Sequence, residues 1–405
     1  MTDVPSSRLF SGALVIASLG YFVDVYDLIL FSVVRLTSLK DLGLTGDALT
    51  SQGITLLNAQ MFGMLLGGVV WGVLGDKIGR KKALFGSILL YSSANLINAC
   101  IDSTTAYGWC RFAAGIGLAG ELGAGVTLVA ELLPKRLRGY GTTIIASIGI
   151  LGAVVAGVTG ELLPWRYSYF IGGVLGLLLL AIRISVSESE LFTNAKEEST
   201  KGIFTILTQG RCFLRYICCV VVGLPIWFII GILVTLAPEI TKSLGAPQLP
   251  NVGLAVTCCY AGLFVGDIVS GLLSQWLQSR KRALGFFLLS SIVASLVFLS
   301  LSAPSLPTIY GMYLLLGASA GFWVLVVTTA AEQFGTNVRA TVTTTVPNVI
   351  RGAVVPMTTA YSALSGGVGP VVAAMYVGIA VFFLAVVSLM NLKETFHNDL
   401  NFIER

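Results

Sequence analysis

Apolar residues gather into twelve long blocks separated by short polar joins, over 10–34, 51–74, 83–101, 105–133, 138–162, 167–185, 213–243, 250–278, 283–301, 306–333, 340–364 and 369–392. A hydrocarbon layer about 30 Å thick needs roughly 20 apolar residues per helix. Each block therefore predicts a helix that spans a bilayer. One substantial polar stretch interrupts the series, from Ser187 to Arg211, and its mixed charge (Glu188, Glu190, Glu197, Glu198 and Lys201) suits a surface linker. That linker, 187–211, divides a six-helix bundle over 1–186 from a second over 212–405 with a short tail. Loops elsewhere are too short to fold alone.

Composition agrees with this reading. Hydrophobic residues make up 55% and charged residues 11% of the chain, against about 25% charged in soluble domains. The first block holds Asp24 and Asp27 and lacks a small-residue cleavage site, so it reads as a retained helix and not as a signal peptide. The seven cysteines fall mostly inside the blocks without metal-ligand spacing, as reduced packing residues do. With both termini on one side, Arg35, Lys40, Arg166 and Lys242 are the only basic residues on the opposite loops, and Arg111 and Arg351 lie within spans. All other basic residues face the termini, which the positive-inside rule makes cytoplasmic.

The chain was built twice. Gly79 to Leu84 (GRKKAL) returns as Ser279 to Leu284 (SRKRAL) at a spacing of 200 residues. Ala130-Glu131 followed by Arg138 returns as Ala331-Glu332 followed by Arg339, at a spacing of 201. Small residues recur at four-residue spacing (Gly63, Gly67; Gly68, Gly72; Gly152, Ala156, Gly160), which lets helix backbones approach in lipid.

Two parallel halves joined by a linker, together with the run Gly72-Val-Leu-Gly-Asp76-Lys-Ile-Gly-Arg80-Lys-Lys between the second and third spans, resemble the major facilitator superfamily over the whole chain. The resemblance implies an all-α membrane protein of twelve helices in two pseudo-symmetric six-helix bundles, working by alternating access around a midplane site. Asp76, Arg80, Glu131 and Arg138 all lie at cytoplasmic helix ends, where opposite charges would form a gate or merely orient the loops. The copy keeps Arg280, Glu332 and Arg339 but has Trp276 in place of Asp76. Asp267, placed toward the inner mouth by its position along the eighth span, is the expected partial substitute.

Ionisable residues inside the membrane default to functional candidates. Asp27 and Arg111 fall at one depth below the outer edge, so they can meet if the first and fourth spans are neighbours. Such a pair suits a proton switch or a permanent structural ion pair. The segments Gly20 to Leu28 and Arg111 to Glu121 look like the metabolite:proton, phosphate:proton and sugar porter group. That likeness implies proton coupling through Asp27 and Arg111, with Asp24 as an additional acid. The only histidine, His397, lies in the tail, so carboxylates must carry any proton.

Arg351 sits near the midplane of the eleventh span, where the first half has an apolar residue. One reading is an anchor for an anionic substrate, with Asn348 one turn earlier as its partner. The other is a bundle-stabilising pair with Asp24, Glu121 or Asp267. Trp227, Tyr260, Phe322 and Trp323 are candidate cavity walls, Glu121 a further substrate-facing candidate, and Pro225 and Pro347 would bend the seventh and eleventh spans.

The reading that follows is a monomeric, multi-pass carrier of the inner or plasma membrane, coupled to protons for the uptake of a small organic anion. No cofactor, metal or nucleic acid is expected, and the partners are the solute and the lipid bilayer. A proton-driven exporter of amphipathic compounds and a non-transporting sensor or scaffold are the alternatives. With no nucleophile, metal cluster or phosphate loop in the sequence, an enzyme is not expected.

Overall fold

A computed structural model describes residues 12–78, 80–121, 135–186 and 210–396, and among these there is helix and no strand. The first half contains α1 (Gly12–Asp41), α2 (Asp47–Ile78), α3 (Arg80–Asn98), α4 (Thr104–Leu118), α5 (Lys135–Leu162) and α6 (Trp165–Val186). The second begins with α7 (Gly210–Phe228), a π-helical turn (Ile229–Val234) and α8 (Ala237–Ser243), which together form the seventh span. It continues with α9 (Val252–Leu277), α10 (Arg280–Leu299), α11 (Leu306–Ala320), α12 (Trp323–Gln333), α13 (Thr336–Gly352), α14 (Val354–Val368) and α15 (Pro370–Asn391). Every apolar block of the sequence carries helix over its described residues. Nearly all of the linker falls outside them.

Eight segments are long and apolar enough to cross a membrane on length and composition alone, and Ile148–Leu162 adds a shorter one. Polar caps start several helices: Ser103, Asn251, Ser279 and Ser305 each accept a hydrogen bond from the backbone N–H three residues on, at 3.2, 3.1, 3.1 and 3.4 Å. Such a cap is worth about 1 kcal/mol. Helix α1 runs seven residues beyond the end of its apolar block, because Arg35, which the sequence placed on an outer loop, is wholly buried inside the bundle.

Three spans of the second half are broken. Pro225 lies inside α7, and the π turn follows it, closed by Thr235, whose hydroxyl donates to Ile230 O at 2.9 Å. The tenth span stops at Gly321 and Phe322 between α11 and α12. The eleventh turns at Ala353, with Pro347 inside α13.

Glycine sets the closest approaches. Gly63 and Gly67 of α2 lie against backbone atoms of Phe112 and Ile116, and Gly115 of α4 against Gln60 O, so any added Cβ would overlap the partner's main chain. Gly152 and Gly160 press α5 onto α1 at Phe22 and Val33. Across the halves, α5 meets α9 where Gly157 faces Thr257 and Gly253, and α2 meets α13 where Gly68 faces Asn348 and Leu65 faces Gly352. These two seams enclose a central layer of buried charge.

Candidate functional site

Helix α1 supplies the first two carboxylates of that layer, Asp24 and Asp27, both with no exposed surface. Asp24 is matched from the other half by Arg351 of α13, whose Nη2 donates to Asp24 Oδ2 at 3.5 Å, the long limit of a hydrogen bond. Asp24 Oδ1 and Arg351 Nε and Nη1 are buried without protein partners. Two indoles cover the guanidinium: the Trp227 ring centre lies 5.8 Å and the Trp323 ring centre 5.7 Å from its Cζ. Both distances permit cation–π attraction. Trp227, Tyr260 and Trp323 are all buried.

Asn348, one turn before Arg351, faces α4 of the first half and donates to Ala119 O at 3.0 Å, and also to Thr344 O at 3.0 Å. In this arrangement one bond from its amide ties the two halves together and the other stays within α13, so neither is made to the guanidinium.

Asp27 and Arg111 form a second cluster within the first half. Asp27 lies against Gly172 of α6, and neither of its oxygens has a hydrogen-bond partner. Arg111 of α4 donates to Asn95 Oδ1 at 2.5 Å and stacks over the Tyr169 ring at 4.5 Å. The two residues thus share one buried region, and no hydrogen bond joins them. Tyr169 and Tyr107 share a hydrogen bond of 2.9 Å, and Tyr107 donates to Ser38 at 3.2 Å.

Glu121 is not in the arginine–tryptophan cluster. It forms a two-pronged ion pair with Arg183 of α6 at 2.5 and 3.0 Å, buried at both ends, in a space left by the missing side chain of Gly20. The sequence had counted Arg183 among the loop charges.

On the face of the basic loops, Asp76, Arg80 and Arg138 lie on α2, α3 and α5 with side chains outside the described set, and Glu131 lies outside the described residues altogether. The copy of this gate is described. Arg280 pairs with Glu332 at 2.9 and 3.1 Å and donates to Ser274 at 2.8 Å, while Thr395 donates to Glu332 at 2.7 Å. Arg339 folds back onto the carbonyls of Ala331 and Phe334 at 2.9 and 3.0 Å.

Trp276 is exposed, and the capping carboxylate comes instead from Glu394, just past α15. It accepts from the Ser279 hydroxyl and from the backbone N–H of Arg280 and Lys281 at 2.8 and 3.2 Å. Partial burial works against the charged form, but the bonds from Ser279 and from the Arg280, Phe396 and Lys281 backbone outweigh it and hold this carboxyl down at about 2. The cap expected from Asp267 is absent, because that residue points at the break in the tenth span, where Oδ1 accepts from Val324 N at 3.4 Å.

The opposite face is sealed between the halves by residues that the sequence did not single out. Arg35 Nη2 donates to Thr235 O at 3.1 Å and to Glu239 at 2.7 and 3.0 Å. Thr50 donates to the same carboxylate at 3.2 Å, and the Ser32 and Thr235 hydroxyls share a hydrogen bond of 3.0 Å. Thr358 of α14 reaches Asn58 of α2 at 2.6 Å. A bundle closed at one face with buried charge at its middle can hold a solute and pass it to the other side.

Known proteins place this architecture. The chain is 29% identical over 409 residues, 95% of its length and 94% of the other, to a Haemophilus influenzae protein whose name assigns it to metabolite transport. It is 25% identical over 345 residues to a gentisate transporter of Corynebacterium glutamicum, covering 80% of this chain and 74% of that one. It is 24% identical over 380 residues to a benzoate transport protein of Acinetobacter baylyi, covering 81% and 78%. The fold matches that of the proton:xylose symporter XylE, solved with 6-bromo-6-deoxy-D-glucose, with a TM-score of 0.72 at 17% identity over 98% of each chain. The family model described as the Major Facilitator Superfamily matches residues 17–370. With two helical halves around a buried charged layer and that match over most of its length, the chain belongs to the Major Facilitator Superfamily and is a multi-pass membrane transporter, not an enzyme.

Proposed function

We propose that this transporter takes up a small aromatic carboxylate together with protons. The observation that carries the reading is Arg351: a buried guanidinium flanked by two indoles, with Nε and Nη1 unpartnered and only a long contact to Asp24. Guanidinium holds carboxylate in a two-pronged geometry, and the indoles offer faces against which an aromatic ring can stack. Names of the relatives point to the same chemistry, since gentisate and benzoate are both aromatic acids.

Coupling follows from competition. A deprotonated Asp24 occupies one prong of Arg351, and a protonated Asp24 releases it, so the substrate anion binds best when a proton has already bound. Asp27, buried beside Arg111 without a hydrogen bond of its own, is the second acid that loads and unloads as the halves move. No cofactor other than the proton is required. The excess of basic residues on one set of loops orients that face and both termini toward the cytoplasm of an inner or plasma membrane. The carrier then works as a monomer.

The test is uptake of radiolabelled benzoate by proteoliposomes under an inward proton gradient. Accumulation that collapses with a protonophore, with benzoate affinity reduced about 100-fold or more in Arg351→Ala, is the expected result. Gradient-driven extrusion would assign the protein to export, and unchanged affinity in the variant would return Arg351 to a purely structural role.

A further inference from the structure

Asp267 takes no part in the Arg351–Asp24 contact, yet it binds the backbone directly after one of the two tryptophans that cover Arg351. Its Oδ1 accepts from the backbone N–H of Val324, the residue after Trp323, whose ring lies 5.7 Å from the Arg351 guanidinium. The contact between Gly266 and Gly321, where an added Cβ on either would strike the other helix, holds α9 against the break and fixes this carboxylate in place. Asp267 is 5% exposed, and its Oδ2 has no protein partner. A buried acceptor without a donor is costly, which makes it a strong selector for any ligand that can supply one.

We propose that Asp267 is a specificity-determining residue: with the carboxylate of an aromatic acid on Arg351 and its ring against Trp323, the free Oδ2 accepts a hydrogen bond from a hydroxyl on that ring. The carrier therefore prefers hydroxylated aromatic acids to those lacking a donor. This inference rests on the reading of Arg351 as the anion anchor. The other oxygen, bonded to the start of α12, orients the carboxylate, so the acceptor is pre-positioned before the solute arrives.

The experiment titrates purified protein with benzoate, 3-hydroxybenzoate, 4-hydroxybenzoate and their two methyl ethers, following tryptophan fluorescence. The expected result is that one hydroxy acid binds about 10- to 100-fold more tightly than benzoate and than its own ether. Asp267→Asn keeps an oxygen for Val324 N but presents a donor to the ligand. It is expected to abolish the preference for that hydroxy acid over its own methyl ether, because the amide N–H donates equally to a hydroxyl or an ether oxygen. Equal binding of hydroxy acid and ether by the wild type, or an undiminished preference in the variant, overturns the proposal. If the variant does not fold, the wild-type comparison decides alone. Benzoate binding that depends on Arg351 but shows no preference for hydroxyls sinks the role of Asp267 and leaves the anchor standing. Benzoate binding unaffected by Arg351→Ala, or no binding of any of these acids, removes both.

Discussion

A guanidinium that meets its carboxylate at 3.5 Å, with two further nitrogens unmatched, is held loosely enough to change partners. Deprotonation of Asp24 strengthens its competition for Arg351, so the apparent affinity for an organic anion should weaken as pH rises. In Asp24→Asn that dependence should flatten, as measured by equilibrium binding across pH. Glu394 gives a second titration, outside the membrane. Its folded value of about 2 lies below the ordinary 4.5, so its contribution to stability is complete above the ordinary value and disappears as pH falls through the folded one. Glu394→Gln should lower the melting temperature at neutral pH, with the gap from wild type narrowing between about 4.5 and 2. Among the single residues, Asp24, Asp27, Arg111 and Arg351 were legible because charge in an apolar block is conspicuous. Their partners were not. Nothing local distinguishes Arg351 facing Asp24 from Arg351 facing Glu121, and Arg183 sat too near a polar stretch to be read as the buried partner of Glu121.

Elements of this protein are placed by small residues more than by apolar surface, which in lipid gives helices no reason to associate. Gly115 shows the consequence: a methyl group there would meet Gln60 O and the Met64 backbone. Gly115→Ala should therefore cost about 1–3 kcal/mol, read as a lower melting temperature in detergent, whereas Gly271→Ala, in open space on α9, should be neutral or slightly stabilising. The glycine repeats of α2 and α5 were visible in the sequence as packing stripes. Pro225 likewise announced irregularity in the seventh span. The break at Gly321 was invisible, because the apolar block continues through it and Gly-Phe is unremarkable in a membrane helix. Its cause is tertiary: Gly266 of α9 crosses there, and Asp267 caps the new helix start.

For the molecule as a whole, duplication was the plainest message of the sequence, and the way the two copies meet was the least plain. Arg35 and Glu239 lie 204 residues apart, and no period or motif links them. Because the pair closes the face opposite the basic loops, weakening it should favour the conformation open on that face. Glu239→Gln is expected to increase labelling of cysteines introduced on the inner walls of that entrance, measured with a membrane-impermeant maleimide. Labelling equal to that of the parent would show that the remaining contacts of Ser32, Thr235, Asn58 and Thr358 hold the face shut by themselves.

Helix α1 is unbroken from Gly12 to Asp41, and it bears Asp24 at the centre and Arg35 at the rim. Eleven residues of helix make an arm of about 16 Å. Pivoting the helix by some 5° about Asp24 swings the tip of that arm by about 1.4 Å, which stretches a 2.7 Å contact with Glu239 beyond hydrogen-bonding reach. A rigid rod of this kind needs no relay of side chains: whatever rearranges the charges at its fulcrum is felt at the latch within the same stroke.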